Sequence, residues 1–144
     1  MDLFMKIKEL PLCGAIIDDG WIKNLRYSNG SPNLNAAMIL SEIIYWYKPI
    51  EIRSETTDDI LGYRKKFKTD KLQKTYDALG KRFGFSKRQV KAACDFLKNS
   101  NLITIEFRIV QIEDQNISNV MFIEPVIENI KKITGKNRVG DFDE

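Results

Sequence analysis

The sequence predicts an α+β fold in which helices come first and a two-stranded antiparallel ribbon closes the domain. Three observations predict it. Apolar residues recur at helical spacing within residues 34–48, 69–83 and 87–99. The run LITIEFRIV (102–110) alternates apolar and polar side chains, and NVMFIE (119–124) returns after the polar turn QIEDQNIS. Between the second and third helical stretches only Gly84, Phe85 and Ser86 intervene, a connection that favours a steep helix crossing over an antiparallel hairpin. The 144 residues are one domain's worth. The expected organisation is a single domain over 1–135 and a flexible tail over 136–144, where KNRVGDFDE has too little apolar content to pack.

In chain order, GAIIDDGWI (14–22) sets Asp18-Asp19-Gly20 between apolar pairs and predicts a turn or hairpin. SNGSPN (28–33) predicts a loop. LNAAMILSEIIYWYK (34–48) predicts a helix capped by Asn33 or Asn35 and ended by Pro49. Its apolar face runs Ala36, Leu40, Ile43, Ile44 and Tyr47, and Met38, Ile39 and Trp46 widen it, which marks the central core helix. The Tyr45-Trp46-Tyr47 cluster has the chemistry of a base-stacking platform, but large aromatics on such a helix more often fill a core, and core is the expectation.

IEIRSETTDDILGYRKKFK (50–68) reads as two short strands around a turn at Thr56–Asp59, its second arm carrying Arg64, Lys65, Lys66 and Lys68. TDKLQKTYDALGKRFG (69–84) predicts an amphipathic helix from a Thr69 cap, with Leu72, Tyr76, Leu79 and Phe83 on one face; Gly80 weakens it and Gly84 suits the left-handed end. Ser86 caps the next helix, 87–99, which ends at Asn99-Ser100-Asn101. In the first ribbon strand Ile103, Ile105, Phe107 and Ile109 share a face. Pro125 stops the second strand and opens a short helix with Val126, Ile127, Ile130 and Ile133 inward and Gly135 past its end. This order is that of a winged helix-turn-helix, with an extra β-hairpin between its first two helices and a short C-terminal helix.

Charge points the same way. The net charge is +3, but residues 61–108 carry 13 basic and 4 acidic side chains, while 1–60 and 109–144 are each net acidic. A basic centre between acidic ends suits a face that meets a polyanion. On a wheel of the helix 87–99, Val90, Ala93, Cys94 and Leu97 face one way, and Arg88, Lys91, Ala92, Asp95 and Asn99 the other, flanked by Lys87, Gln89 and Lys98. Ala92 permits close approach to a groove floor, Arg and Gln read guanine and adenine edges, and the helix start at Ser86 offers N–H donors to a phosphate. Arg88, Gln89 and Lys91 are the candidate base-edge or near-phosphate contacts. Lys65, Lys66, Lys68, Lys74, Lys81, Arg82, Lys87 and Lys98 are candidate phosphate contacts, and Arg108 is the one cation on the ribbon strands. Asp95 on the helix face and Glu113-Asp114 at the ribbon tip oppose an anion.

Catalysis is not expected. With no histidine, imidazole-based acid–base and nucleophilic triads are excluded. Asp18-Asp19 and Asp58-Asp59 are carboxylate pairs of a kind that holds Mg²⁺, but both sit in predicted turns, where Asp is simply a good turn residue. Cys13 and Cys94 have no metal spacing, and Cys94 belongs to the buried face. No cofactor is implied. The N-terminus lacks a signal-peptide pattern and no apolar run is long enough to span a bilayer, so a cytoplasmic protein without membrane association is expected.

The runs LNAAMILSEIIYWYKP, GYRKKFKTDKLQKTYDALGKRFGFSKRQVKAACDFLKNSNLI and NVMFIEP resemble the winged-helix domains of phage and plasmid replication proteins, the replication initiators and replisome organisers. The likeness covers residues 20–125 and is most specific in SEIIYWY, FGFSKRQVKAACDFLKNSNLI and NVMFIE. It implies sequence-specific binding of double-stranded DNA in replication initiation or organisation, inside a bacterial host. Larger members of that family meet a helicase or helicase loader through a further domain, which makes either a candidate partner. A homodimer through N- or C-terminal elements is open to a winged helix, with no heptad or apolar stripe here to decide it. Two alternatives stay open, a winged-helix transcriptional regulator and a protein-docking module, the latter including a phage-encoded inhibitor of a host protein.

Overall fold

The computed structural model describes residues 2–135, so the tail expected over 136–144 lies outside the described residues. The architecture is mixed α+β with small antiparallel sheets. Helix α1 (Leu3–Lys8) is capped by Asp2 and buries none of its residues. A second helix, α2 (Asp19–Asn24), stands where a turn or hairpin was expected. Asp serves an N-cap as well as a turn, and here the Asp18 carboxylate accepts from the Gly20 N–H at 2.8 Å. Trp21 then fixes the helix tertiarily: it is buried, and its indole N–H donates to Thr134 Oγ1 at 2.9 Å.

Helix α3 (Leu34–Tyr47) is capped by Asn33, whose side chain accepts from the Ala36 N–H at 3.1 Å. It buries Ala36, Ala37, Ile39, Leu40 and Ile43 and packs against α2, the two helices that precede the ribbon, and the ribbon itself. The core expectation for its aromatic cluster holds for Tyr47 alone. Tyr45 and Trp46 lie outside the core cluster: Tyr45 points away from the side of Ile39 and Ile43, while Trp46 shares that side but sits in the last turn, half-buried under Lys74. The expected hairpin follows as β1 (Ile50–Arg53) and β2 (Ile60–Arg64), antiparallel and mostly exposed.

The helix expected from Thr69 starts later. Leu72–Gln73 is instead a short strand, β3, and Thr75 caps helix α4 (Tyr76–Gly80), which passes into one 3₁₀ turn at Lys81–Phe83. Long-range partners decide this. Leu72 pairs with Ile123, and its N–H donates to the Tyr47 hydroxyl at 2.9 Å, while that hydroxyl donates in turn to the Ile123 carbonyl. Burial of the phenol pushes the Tyr47 pKa up, so the hydroxyl keeps its proton for this bridge. Helix α5 (Lys87–Asn99) follows the turn Gly84-Phe85-Ser86.

The ribbon is β4 (Ile103–Ile112) and β5 (Gln115–Pro125), with β3 adding a third strand in the order β3-β5-β4. Glu113 and Asp114 turn it, both in the left-handed region. The expected face splits along its length: Ile103 is buried and Ile105 half-buried, but Phe107 and Ile109 are exposed. The ribbon leaves the core there, and a register shift between Arg108 and Val110 bends it. Pro125 is the last residue of β5, opposite Ile103, rather than the first of the helix, and α6 (Ile127–Ile133) begins after it. One core joins Ile39, Leu40 and Ile43 to Leu79, Val90, Cys94, Leu97, Ile103 and Ile123.

Candidate nucleic-acid interface

Helix α5 is placed by its first turn and by the glycines before it. The Ser86 hydroxyl accepts from the Gln89 N–H at 3.2 Å, and the Gln89 side chain accepts from the Ser86 N–H at 2.8 Å. This reciprocal capping box satisfies two helix-start donors. Gly84 has φ +71°, where a side chain would strain the backbone. Gly80 has another role: a Cβ there would lie 2.1 Å from Val90 Cγ2 and 3.1 Å from Phe85 Cβ. The end of α4 therefore touches α5 closely, and α5 buries Val90, Ala93, Cys94 and Leu97 beneath that contact.

The opposite face is open, with Lys87, Arg88, Gln89, Lys91, Ala92 and Lys98 all exposed. Not all are equally free. Gln89 is held in the capping box, and Lys91 Nζ lies 3.0 Å from the Asp95 carboxylate, which pushes its pKa up. No ion pair is formed by Lys87, Arg88 or Lys98 among the described residues. A shallow depression beside Arg88 and Ala92 is completed by Tyr27, Asn35 and Phe96, with the Tyr27 and Phe96 rings edge to face at 6.1 Å. Tyr27 lies outside any periodic segment, so no pattern in the sequence marked it.

The remaining candidates divide into two groups. Arg82 is drawn to the buried Glu42 at 3.3 Å, and Arg108 is clamped by Asp70 at 2.8 and 3.0 Å and by Glu106 at 2.6 Å while stacking on Phe122. The guanidinium hydrogen bonds hold the Asp70 carboxyl down at about 2. Both arginines thus serve the fold. Lys81 and Lys68 are exposed and form no ion pair among the described residues. Lys65 and Lys66 lie over the rings of Phe67 and Tyr45, and Lys74 over Trp46. Lys74 also lines a cleft with Lys87, Tyr76, Phe107 and Ile117, between α4 and the ribbon. Lys87 opens α5 and Lys74 covers Trp46 of α3, so the cleft lies between the surroundings of those two residues.

Among the described residues no His/Cys/Asp/Glu group suited to a metal ion occurs, and no helix is long and apolar enough to cross a membrane. No protein-family model, curated protein or solved structure matches this chain.

Proposed function

We propose that the chain is a winged helix-turn-helix domain that binds double-stranded DNA through the outer face of α5, in phage or plasmid replication. The observation that carries this reading is the set of unpaired cations Lys87, Arg88 and Lys98 around the small side chain of Ala92, on a helix whose other face is locked into the core. A protruding helix of this kind fits the major groove. Arg88 is the leading base contact. Lys87, Lys98, Lys81, Lys68 and Lys74 take phosphates. Gln89 positions the helix start rather than a base, and Arg82 and Arg108 brace the scaffold. A helicase or helicase loader is the partner this reading implies.

The ribbon favours a protein contact over a phosphate contact, since Glu113 and Asp114 form its tip and Arg108, midway along β4, is paired with Asp70 and Glu106. The test is a binding titration against the DNA flanking the protein's own gene. With about five phosphates engaged, log affinity falls with log salt at a slope of about −4.5. Arg88→Ala weakens specific binding by about 1–3 kcal/mol. A flat salt response, or full affinity in Arg88→Ala, overturns the assignment to α5.

A further inference from the structure

Tyr45 and Trp46 stand outside the core cluster, although they are large aromatics on the central helix. They stand edge to face with ring centroids 5.6 Å apart. What covers them is cationic. Lys66 Nζ sits 3.5 Å from the centre of the Tyr45 ring, and Lys74 Nζ 3.9 Å from the centre of the Trp46 ring. Lys65 lies over Phe67, whose ring is edge to face with Tyr47. Arg64 and Lys68 complete a depression with Tyr45, Trp46, Lys65, Lys66 and Phe67. No ion pair is made by Arg64, Lys65, Lys66, Lys68 or Lys74 among the described residues. Crowding is evident at Lys66, whose pKa is lowered first by desolvation and then by Lys48.

Unneutralised cations interleaved with aromatic faces suit a ligand that carries both negative charge and flat π-surfaces. In a duplex the base faces are stacked on one another, so the rings would find no partner there. An acidic peptide would use the cations and leave the rings idle. In a single strand both needs are met: bases stack on aromatic rings and phosphates follow the cations. We propose that Tyr45 and Trp46, with Lys66, Lys68 and Arg64, form a binding site for single-stranded nucleic acid. On binding, a base displaces each ammonium from its ring face, and the freed lysine moves to a phosphate. Stacking on a base is stronger than an exposed cation–π contact, so the exchange is favourable. The site shares no residue with α5; of its members only Lys68 is also a phosphate contact in the duplex reading, on which the site does not otherwise depend. Lys74 joins the two surfaces, since it covers Trp46 and lines a cleft with Lys87.

The full chain is titrated with a labelled oligothymidylate of about twelve nucleotides and, separately, with a duplex. Trp46→Ala and Tyr45→Ala each weaken the single strand about tenfold, and Trp46→Phe retains most of the affinity. The double variant Lys66→Gln/Lys68→Gln shallows the salt slope by about 1.4. Tryptophan emission is quenched by the oligonucleotide and the quench disappears in Trp46→Phe, because Trp21 is buried. Arg88→Ala leaves the single strand bound, so failure of the duplex reading and failure of this one are separable. The proposal is overturned by unchanged affinity in both aromatic variants, by equal affinity for linear polyphosphate or polyglutamate, or by loss of the strand in Arg88→Ala. If Trp46→Ala fails to fold, the Trp46→Phe quench and the lysine variant decide the matter.

Discussion

Cys94 and Cys13 are the same side chain in opposite settings. Cys94 is buried between α5 and the core, and burial, followed by the neighbouring Asp95 charge, pushes its thiol up to about 12. Cys13 is exposed. Thiolate is the reactive form, so at about pH 8 a thiol reagent should titrate Cys13 alone in the native protein and both cysteines in denaturant. Two rapid equivalents in the native state would show that α5 is not seated. Linkage gives the sign with pH. The unfolded thiol loses its proton near pH 8.5, the folded one only near the value above, so the folded state binds more protons between them and stability falls as pH rises through that window. The burial of Cys94 was legible from its place on the helix wheel. The state of Arg82 and Arg108 was not. Their partners Glu42 and Asp70 are 40 and 38 positions away in sequence, and no spacing rule links residues that far apart.

Among the elements, those with local signals were readable and those with distant ones were not. Ser86 and Gln89 fix the start of α5 within four residues of chain, and its bounds match the expectation from sequence. Leu72 satisfies both a helical and a strand template, and its choice rests on Tyr47 and Ile123, which no local window contains. Gly80 shows the difference most sharply. By propensity it only weakens a helix, yet here it is the point where α4 meets Val90 of α5. Val90 is fully buried and β-branched, so it has little freedom to give way. Gly80→Ala should therefore destabilise the fold by about 1–3 kcal/mol, against the gain expected from helix propensity alone. Chemical denaturation measures this directly, and a stabilised variant would mean the two helices are not in such close contact.

For the whole molecule, burial and charge separate two kinds of surface. Helices α2–α6 and the base of the ribbon share one core, and Lys68, Lys74, Lys81, Lys87, Arg88 and Lys98, which form no ion pair among the described residues, lie on or beside α4 and α5. The residues before α2 are different. Helix α1 buries nothing, and Phe4 and Leu12 are 82% and 86% exposed. Leu3, Phe4, Ile7 and Leu12 count toward the apolar content of a globular chain without joining its core, so composition alone overstates what packs. A segment that buries no side chain contributes little to stability, because the apolar transfer term scales with area removed from water. Deleting residues 2–12 should then change unfolding free energy by less than about 0.5 kcal/mol and the melting temperature by less than about 2 °C. Calorimetry of the full and shortened chains at matched concentration measures it. A drop of several degrees that grows with protein concentration would instead mean that these apolar residues are covered in solution by a second copy, since only association makes the melting temperature depend on concentration in that way.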